Sequence, residues 1–310
     1  MERIFSIAWS PNGRWLAAGG DSDRIKIWDV QQATVVHTLS THKAGVRSVR
    51  WSPDSRRLVC GQGNWKELDT GHVQVWHAAT AEVVWSSQEA FYGAYTVDFS
   101  ANGQWIASGH GSGITNIWHA ETGQKYINTT VRDDVRNLIN GICFSADSRF
   151  VACGTCYEDG LYIYGVDGVV HHEIVFPKQP AWVDFEHVIR FSPDGKWVAR
   201  GSQSGLVSLW RVDDPLLSAD LAGHETSTYA IAWSPDGRYL AGGSRYGEIK
   251  IWDVETQTVV GTMAHRPLHS IDYSPDGGLL ASAGDDSRIC IWDVDPKNAA
   301  FTNCVKTLRV

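Results

Sequence analysis

The sequence predicts an all-β fold: one closed ring of seven four-stranded antiparallel sheets, each built from consecutive segments of chain. Three observations lead there. A Ser-Pro-Asp-Gly-like turn recurs seven times, its serine at Ser10, Ser52, Ser100, Ser145, Ser192, Ser234 and Ser274, at intervals of 42, 48, 45, 47, 42 and 40 residues. An aromatic ends a later segment of every repeat, at Trp28, Trp76, Trp118, Tyr164, Trp210, Trp252 and Trp292. The composition agrees, because 15 Trp and 30 Gly among 310 residues suit a motif used repeatedly, while 2 Met and few helix-favouring runs argue against a helical protein.

Each repeat resolves into four short strands, and the first shows why. Ser6 to Trp9 alternates and runs into the turn Ser10-Pro11-Asn12-Gly13. There Pro presets its backbone angle, Asn or Asp bonds nearby backbone, and Gly tolerates a positive φ. Trp15 to Gly20 forms the second segment. Ile25-Lys26-Ile27-Trp28 alternates apolar and polar, the period-2 pattern of a half-buried strand. Thr34 to Leu39 supplies the fourth. One such sheet cannot bury both faces, whereas seven stacked radially can. The expected architecture is therefore a seven-bladed β-propeller in a single domain over 1–310. Its blades fall near 4–40, 46–87, 94–131, 139–176, 186–222, 228–263 and 268–310. The first segment lies close to the N-terminus, and Cys304 to Leu308 reads as a fourth strand. The ring is expected to seal by packing of first blade on last, without an interlocking strand. The chain is also readable as a domain cut from a larger protein.

The paired Ser-Pro-Asp-Gly turns and Ile-Trp-Asp-Val segments (27–30, 251–254 and 291–294) make the chain resemble the WD-repeat β-propeller family over essentially its whole length. The frequency of the turns suggests a bacterial-type member. The resemblance implies a buried network of a His before the first strand, a Ser or Thr in the second, an Asp in the next turn and the third-strand Trp. His265, Ser282, Asp286 and Trp292 match it fully. His42 and His224 keep its first member, but Thr70 and Tyr246 stand where Asp belongs.

Charge and motif searches exclude more than they assign. A net charge of −8 disfavours a phosphate-backbone binder. No apolar run reaches the roughly 20 residues needed to span a bilayer. Neither nucleic acid nor membrane is expected as a partner, and a reducing cytoplasm fits 6 Cys without a disulfide framework. Cys153-Gly154-Thr155-Cys156 has C-x-x-C spacing, yet Cys153 aligns with Ala18 and Cys60 in a small-residue core slot. His171 and His172 are adjacent, so they point to opposite faces of a strand. His110-Gly111-Ser112-Gly113 lacks the Gly-x-Ser-x-Gly elbow and aligns with the hairpin turn Asp21–Arg24. No cofactor, metal or catalytic site is expected.

The candidate site is a surface. The position two before the last apolar residue preceding the aromatic–Ser pair of each repeat holds Phe5, Arg47, Tyr95, Asn140, His187, Tyr229 and His269. In the family this ring surrounds the channel mouth. Rigid aromatics and Arg are the residues that dominate interface energetics, although the same side chains also pack between blades. Three insertions lengthen loops on that face: Gly61 to Gly71 with Trp65, Arg132 to Asn140, and Phe176 to Glu186 with Trp182 and Phe185. The leading functional reading is a non-enzymatic scaffold that recognises a protein or peptide. Beside it stand a sensor domain of a larger nucleotide-hydrolysing or protease effector, and a small-ligand hydrolase using His187, His269 and Tyr229.

Overall fold

The computed structural model describes residues 2–41, 45–63, 71–87, 93–111, 113–130, 138–155, 160–175, 188–202, 204–214 and 218–310. These form seven four-stranded antiparallel sheets, each with its strands in chain order, and no helix. The innermost strands are Ile4–Trp9, Val46–Trp51, Ala94–Phe99, Ile139–Phe144, Ile189–Phe191, Thr228–Trp233 and Ser270–Tyr273. The structure is an all-β propeller of seven blades, every blade continuous in sequence.

The recurring turn works as its residues dictate. In the first blade the Ser10 hydroxyl donates to Asn12 Oδ1 at 2.7 Å and accepts the Trp15 N–H at 2.8 Å. Gly13 sits at φ 72°, the left-handed region. Ser55 and Ser148 occupy the same corner at φ 60° and 61°. Their hydroxyls offset the strain by bridging blades: each accepts a backbone N–H of the preceding turn, Asn12 to Ser55 and Asn102 to Ser148, both at 3.0 Å.

Apolar stripes on the two faces of each sheet meet those of the neighbouring blades. Ile7, Leu16, Trp28, Ile289, Ile291 and Leu308 share one such cluster between the last and first blades. Truncating a buried Leu or Ile in a cluster of this kind costs about 2–5 kcal/mol. The innermost strands do not pair with one another, so their backbone donors need other partners. Serine hydroxyls supply them: Ser270 accepts the Ile7 N–H, Ser6 that of Val49 and Ser48 that of Val97, at 3.2, 3.1 and 3.2 Å.

The last blade is completed by its own fourth strand, Cys304–Arg309. First and last blades join through packing, side chains and one backbone bond, Ile4 N–H to the Gly284 carbonyl at 2.9 Å. Trp9 N–H donates to Asp272 Oδ2 at 2.7 Å, Ser287 Oγ to the Glu2 carbonyl at 2.9 Å, and Lys306 Nζ to the Val30 carbonyl at 2.6 Å.

Candidate functional site

Five of the seven candidate ring residues stand where their innermost strands slip register. The pairing steps from Ile4 to Ser6, Val46 to Ser48, Ile139 to Gly141 and Thr228 to Ala230, leaving Phe5, Arg47, Asn140 and Tyr229 as the extra residues. The third blade does the same at Tyr95, between Ala94 and Thr96. A bulge removes a residue from the ladder and re-aims its side chain. The same offset in five blades therefore turns five side chains toward one end of the ring, where the second and third strands are joined. In the seventh blade His269 precedes the strand, held by its N–H on the Ala283 carbonyl at 2.9 Å.

The last, first and second blades bring their ring residues into contact. Phe5 meets His269 edge-on at 5.5 Å, and the Arg47 guanidinium lies 4.7 Å from the Phe5 ring centroid. Arg3 approaches the same ring at 5.4 Å. A cation over an aromatic face contributes about 0.5–1 kcal/mol where exposed. Arg47 Nε donates to the Gly63 carbonyl at 2.9 Å, and His269 Nε2 lies 2.7 Å from Asp285 Oδ1. These contacts fix long side chains before any partner arrives.

Exposure separates the ring into open and walled positions. Phe5, Arg47, Tyr95, Asn140 and His269 are half-buried, while Tyr229 is only 8% exposed. Tyr229 thus contributes packing more than open surface. His187, Trp65, Trp182 and Phe185 lie outside the described residues.

Below the mouth, the residue before each innermost-strand aromatic is another ring: Ala8, Arg50, Asp98, Cys143, Arg190, Ala232 and Asp272. The sequence reading passed over it, although its register is as regular as the first. Arg50 Nε lies 3.9 Å from Asp98 Oδ1, and Asp98 Oδ2 accepts the Phe144 N–H at 2.8 Å. Burial pushes the carboxyls of Asp98 and Asp272 up to about 6, against the pull of Arg50. These groups tie neighbouring blades together.

Three further sequence readings meet the structure. The blade-seven network is present: Trp292 Nε1 donates to Ser282 Oγ at 2.8 Å, Ser282 Oγ lies 2.7 Å from His265 Nδ1, and His265 Nε2 lies 3.1 Å from Asp286 Oδ1. His110, by contrast, is not a surface turn residue. It ends the strand Trp105–His110, is buried, and places Nε2 2.9 Å from Ser108 Oγ and 3.1 Å from Asn116 Nδ2. Burial lowers its pKa to about 4, keeping the ring neutral. Trp118 Nε1 completes the group on Ser108 Oγ at 2.8 Å. The third blade thus rebuilds the network with a His taken from the strand instead of the preceding loop. Cys153 is fully buried in the core, with its thiol pushed up to about 12.

Among the described residues no three His, Cys, Asp or Glu converge on a metal site, and no helix is long and apolar enough to cross a membrane. Seven four-stranded antiparallel blades with recurring bulges on their innermost strands define a repeat-built β-propeller. The family described as WD domain, G-beta repeat matches residues 33–77, 84–119, 186–211, 216–253 and 257–293, more than half of the chain. The protein belongs to the WD-repeat family. Residues 1–54 also match the family described as Anaphase-promoting complex subunit 4 WD40 domain. Similar curated proteins include the WD repeat-containing protein WDS homolog of Arabidopsis thaliana, 24% identical over 73% of this chain and 42% of that protein. The Cilia- and flagella-associated protein 52 of Chlamydomonas reinhardtii is 37% identical over 52% of this chain and 27% of its own length. The WD repeat-containing protein slp1 of Schizosaccharomyces pombe is 29% identical over 53% and 33%. The chain thus spans less than half the length of these relatives. Members of the family serve generally as non-enzymatic scaffolds for protein interaction.

Proposed function

We propose that this propeller is a non-enzymatic recognition module that binds a protein or peptide at the channel-mouth face, through Phe5, Arg47, Tyr95, Asn140 and His269, in the cytoplasm. One observation supports the reading: bulges recur at Phe5, Arg47, Tyr95 and Asn140, and Phe5 touches both Arg47 and His269 of the neighbouring blades. Pre-ordered side chains lose little entropy on docking, so their contacts appear in affinity. His187, Trp65, Trp182 and Phe185 belong to the proposal on sequence grounds, as loop residues of the same face. The names of relatives support an assembly role, since one matching family is a subunit of the anaphase-promoting complex and a partial relative is Transcription initiation factor TFIID subunit 5 of Caenorhabditis elegans. The acidic net charge of −8 speaks against nucleic acid as the partner. The bacterial-type assignment rests on the turn sequences alone.

The test is affinity capture from native lysate with wild type beside Arg47→Ala/Tyr95→Ala. Retention by wild type and loss by the variant, at matched thermal midpoints, supports the reading. Equal retention by both, or loss that tracks unfolding, refutes it.

A further inference from the structure

The last blade carries a pair of thiols for which the recognition role has no use. Its third and fourth strands are Arg288–Asp293 and Cys304–Arg309. Cys290 stands opposite Thr307 and Trp292 opposite Cys304, and the ladder skips Val305 between them. Successive side chains of a strand alternate between faces, so a regular strand would send Cys304 and Thr307 to opposite sides. The bulge resets that alternation and returns Cys304 to the face of Thr307 and Cys290. Cys304 Sγ accordingly lies 3.6 Å from Thr307 Oγ1. The first, third and sixth blades slip at the same point and fill the two positions otherwise, with Lys26 and Val35, Asn116 and Lys125, and Lys250 and Val259.

The two sulfurs sit in different surroundings. Cys304 is exposed and Cys290 is buried. Cys290 Sγ lies 3.9 Å from His265 Nε2. Burial pushes the Cys290 thiol up to about 11, and the neighbouring Cys304 sulfur adds to the rise by holding the proton on the inner sulfur. Arg288 shares the Cys290 face, bonds Asp286 Oδ2 at 2.7 Å and interacts electrostatically with both thiols. A cation beside two sulfurs favours negative charge on one of them. The outer sulfur is therefore the reactive one, and the inner sulfur is the partner within its reach.

We propose that Cys304 and Cys290 form a peroxide-responsive dithiol site whose disulfide clasps the outer strand of the last blade. The Cys304 thiolate attacks one oxygen of a hydroperoxide. The O–O bond breaks, the other oxygen leaves as alkoxide or hydroxide and takes up a proton, and Cys304 becomes a sulfenic acid. Cys290 then gives up its proton and attacks the Cys304 sulfur. The S–O bond breaks, and the departing hydroxide takes up that proton as water. Two thiols and one hydroperoxide thus give one disulfide, one alcohol (water, for hydrogen peroxide) and one water. Closing an S–S bond of about 2.05 Å asks for adjustment at Val305, which lies outside the ladder and is 49% exposed. The clasped strand also carries contacts to the first blade: Lys306 reaches the Val30 carbonyl at 2.6 Å, and Leu308 packs with Ile7 and Leu16. Oxidation therefore adds a covalent tie beside the seam that closes the ring.

The test treats the whole chain with hydrogen peroxide, blocks the remaining thiols and digests with trypsin. The expected product joins peptides 289–297 and 298–306 with loss of two hydrogens per chain, and dithiothreitol separates them. A bridge closing the loop 290–304 is expected to raise the urea midpoint by about 0.5–1 M. Cys304→Ser, at an exposed position, is expected to abolish the linked product. Cys290→Ser is expected to leave Cys304 as a sulfenic acid, which dimedone traps. Arg288→Gln is expected to slow formation of the linked product about threefold or more. The proposal is overturned if wild type forms no linked product, if Cys304 pairs instead with a second chain, or if the linked protein unfolds at the same urea concentration as the reduced one.

Discussion

Ser282→Ala tests whether the blade-seven network stabilises the ring or merely decorates it. Ser282 is fully buried. Its oxygen accepts the Trp292 indole N–H at 2.8 Å and its hydroxyl hydrogen reaches His265 Nδ1 at 2.7 Å, while His265 Nε2–H points at Asp286. Proton direction is thus consistent along the chain Trp292, Ser282, His265, Asp286. Removing the hydroxyl orphans one buried donor and one buried acceptor. Each unsatisfied group costs about 1–3 kcal/mol, so the pair comes to about 2–6 kcal/mol. With a urea m-value of roughly 3 kcal/mol per molar for a chain of this size, the unfolding midpoint falls by about 0.7–2 M. The sixth blade supplies the counter-argument. Gly242 stands there in place of the serine, and the orphaned groups have re-routed: His224 Nε2 sits 3.1 Å from the Gly242 carbonyl, and Trp252 Nε1 donates to the Ala222 carbonyl at 2.8 Å. A measured cost below about 0.5 kcal/mol, within the range of an ordinary surface change, would show that blade seven re-routes as easily, and the reasoning would be wrong.

Three other outcomes are expected. Ser148→Ala keeps the left-handed corner at φ 61° and loses the bond from Asn102, costing about 1–2 kcal/mol by urea unfolding, whereas Ser148→Gly relieves the corner and stays within about 0.5 kcal/mol of wild type; an alanine variant no worse than the glycine variant contradicts this. Asp272 binds its proton more tightly in the folded ring, so the unfolded chain holds fewer protons between about pH 4 and 6, and this carboxyl lowers stability as pH rises through that window. Asp272→Asn keeps an oxygen for the Trp9 N–H and removes that slope, which urea midpoints at pH 4.5 and 7 compare directly. Cys304 is exposed while Cys60, Cys143, Cys153 and Cys290 are buried, and burial pushes their thiols up. Cys304→Ser is expected to remove one equivalent of fast-reacting thiol in a disulfide-exchange assay of the native protein.

The repeat made the fold legible because every blade spends the same residues on the same turn: Ser10, Ser52 and Ser274 each donate to the Asn or Asp two positions on. It also made the ring legible by position, since counting back from the aromatic–Ser pair lands on the bulge in blade after blade. Orientation was not legible. A bulge is a register slip between two strands, and a list of residues on one strand does not display it. Burial was not legible either, as Tyr229 shows: its neighbours, not its own sequence, decide how much of it faces water. His110 escaped because the family pattern places the network His in a loop, whereas here the strand end supplies it two positions beyond its serine partner.

The two faces differ in how their side chains are held, and the difference follows from the inner rim. Ser6, Ser48 and Ser270 each immediately follow a bulged or pre-strand ring position and bond the next blade's backbone. Phe5, Arg47 and His269 therefore hang from anchored backbone on both the sequence side and the blade side. On the opposite face the turns are locked internally, Ser145 to Asp147 at 2.6 Å and Ser192 to Asp194 at 2.5 Å, so that only side chains such as Arg149 remain adjustable. On the proposed function, a face of pre-ordered side chains loses little entropy on docking, so substitution of Phe5 or Arg47 is expected to lower affinity for the partner steeply.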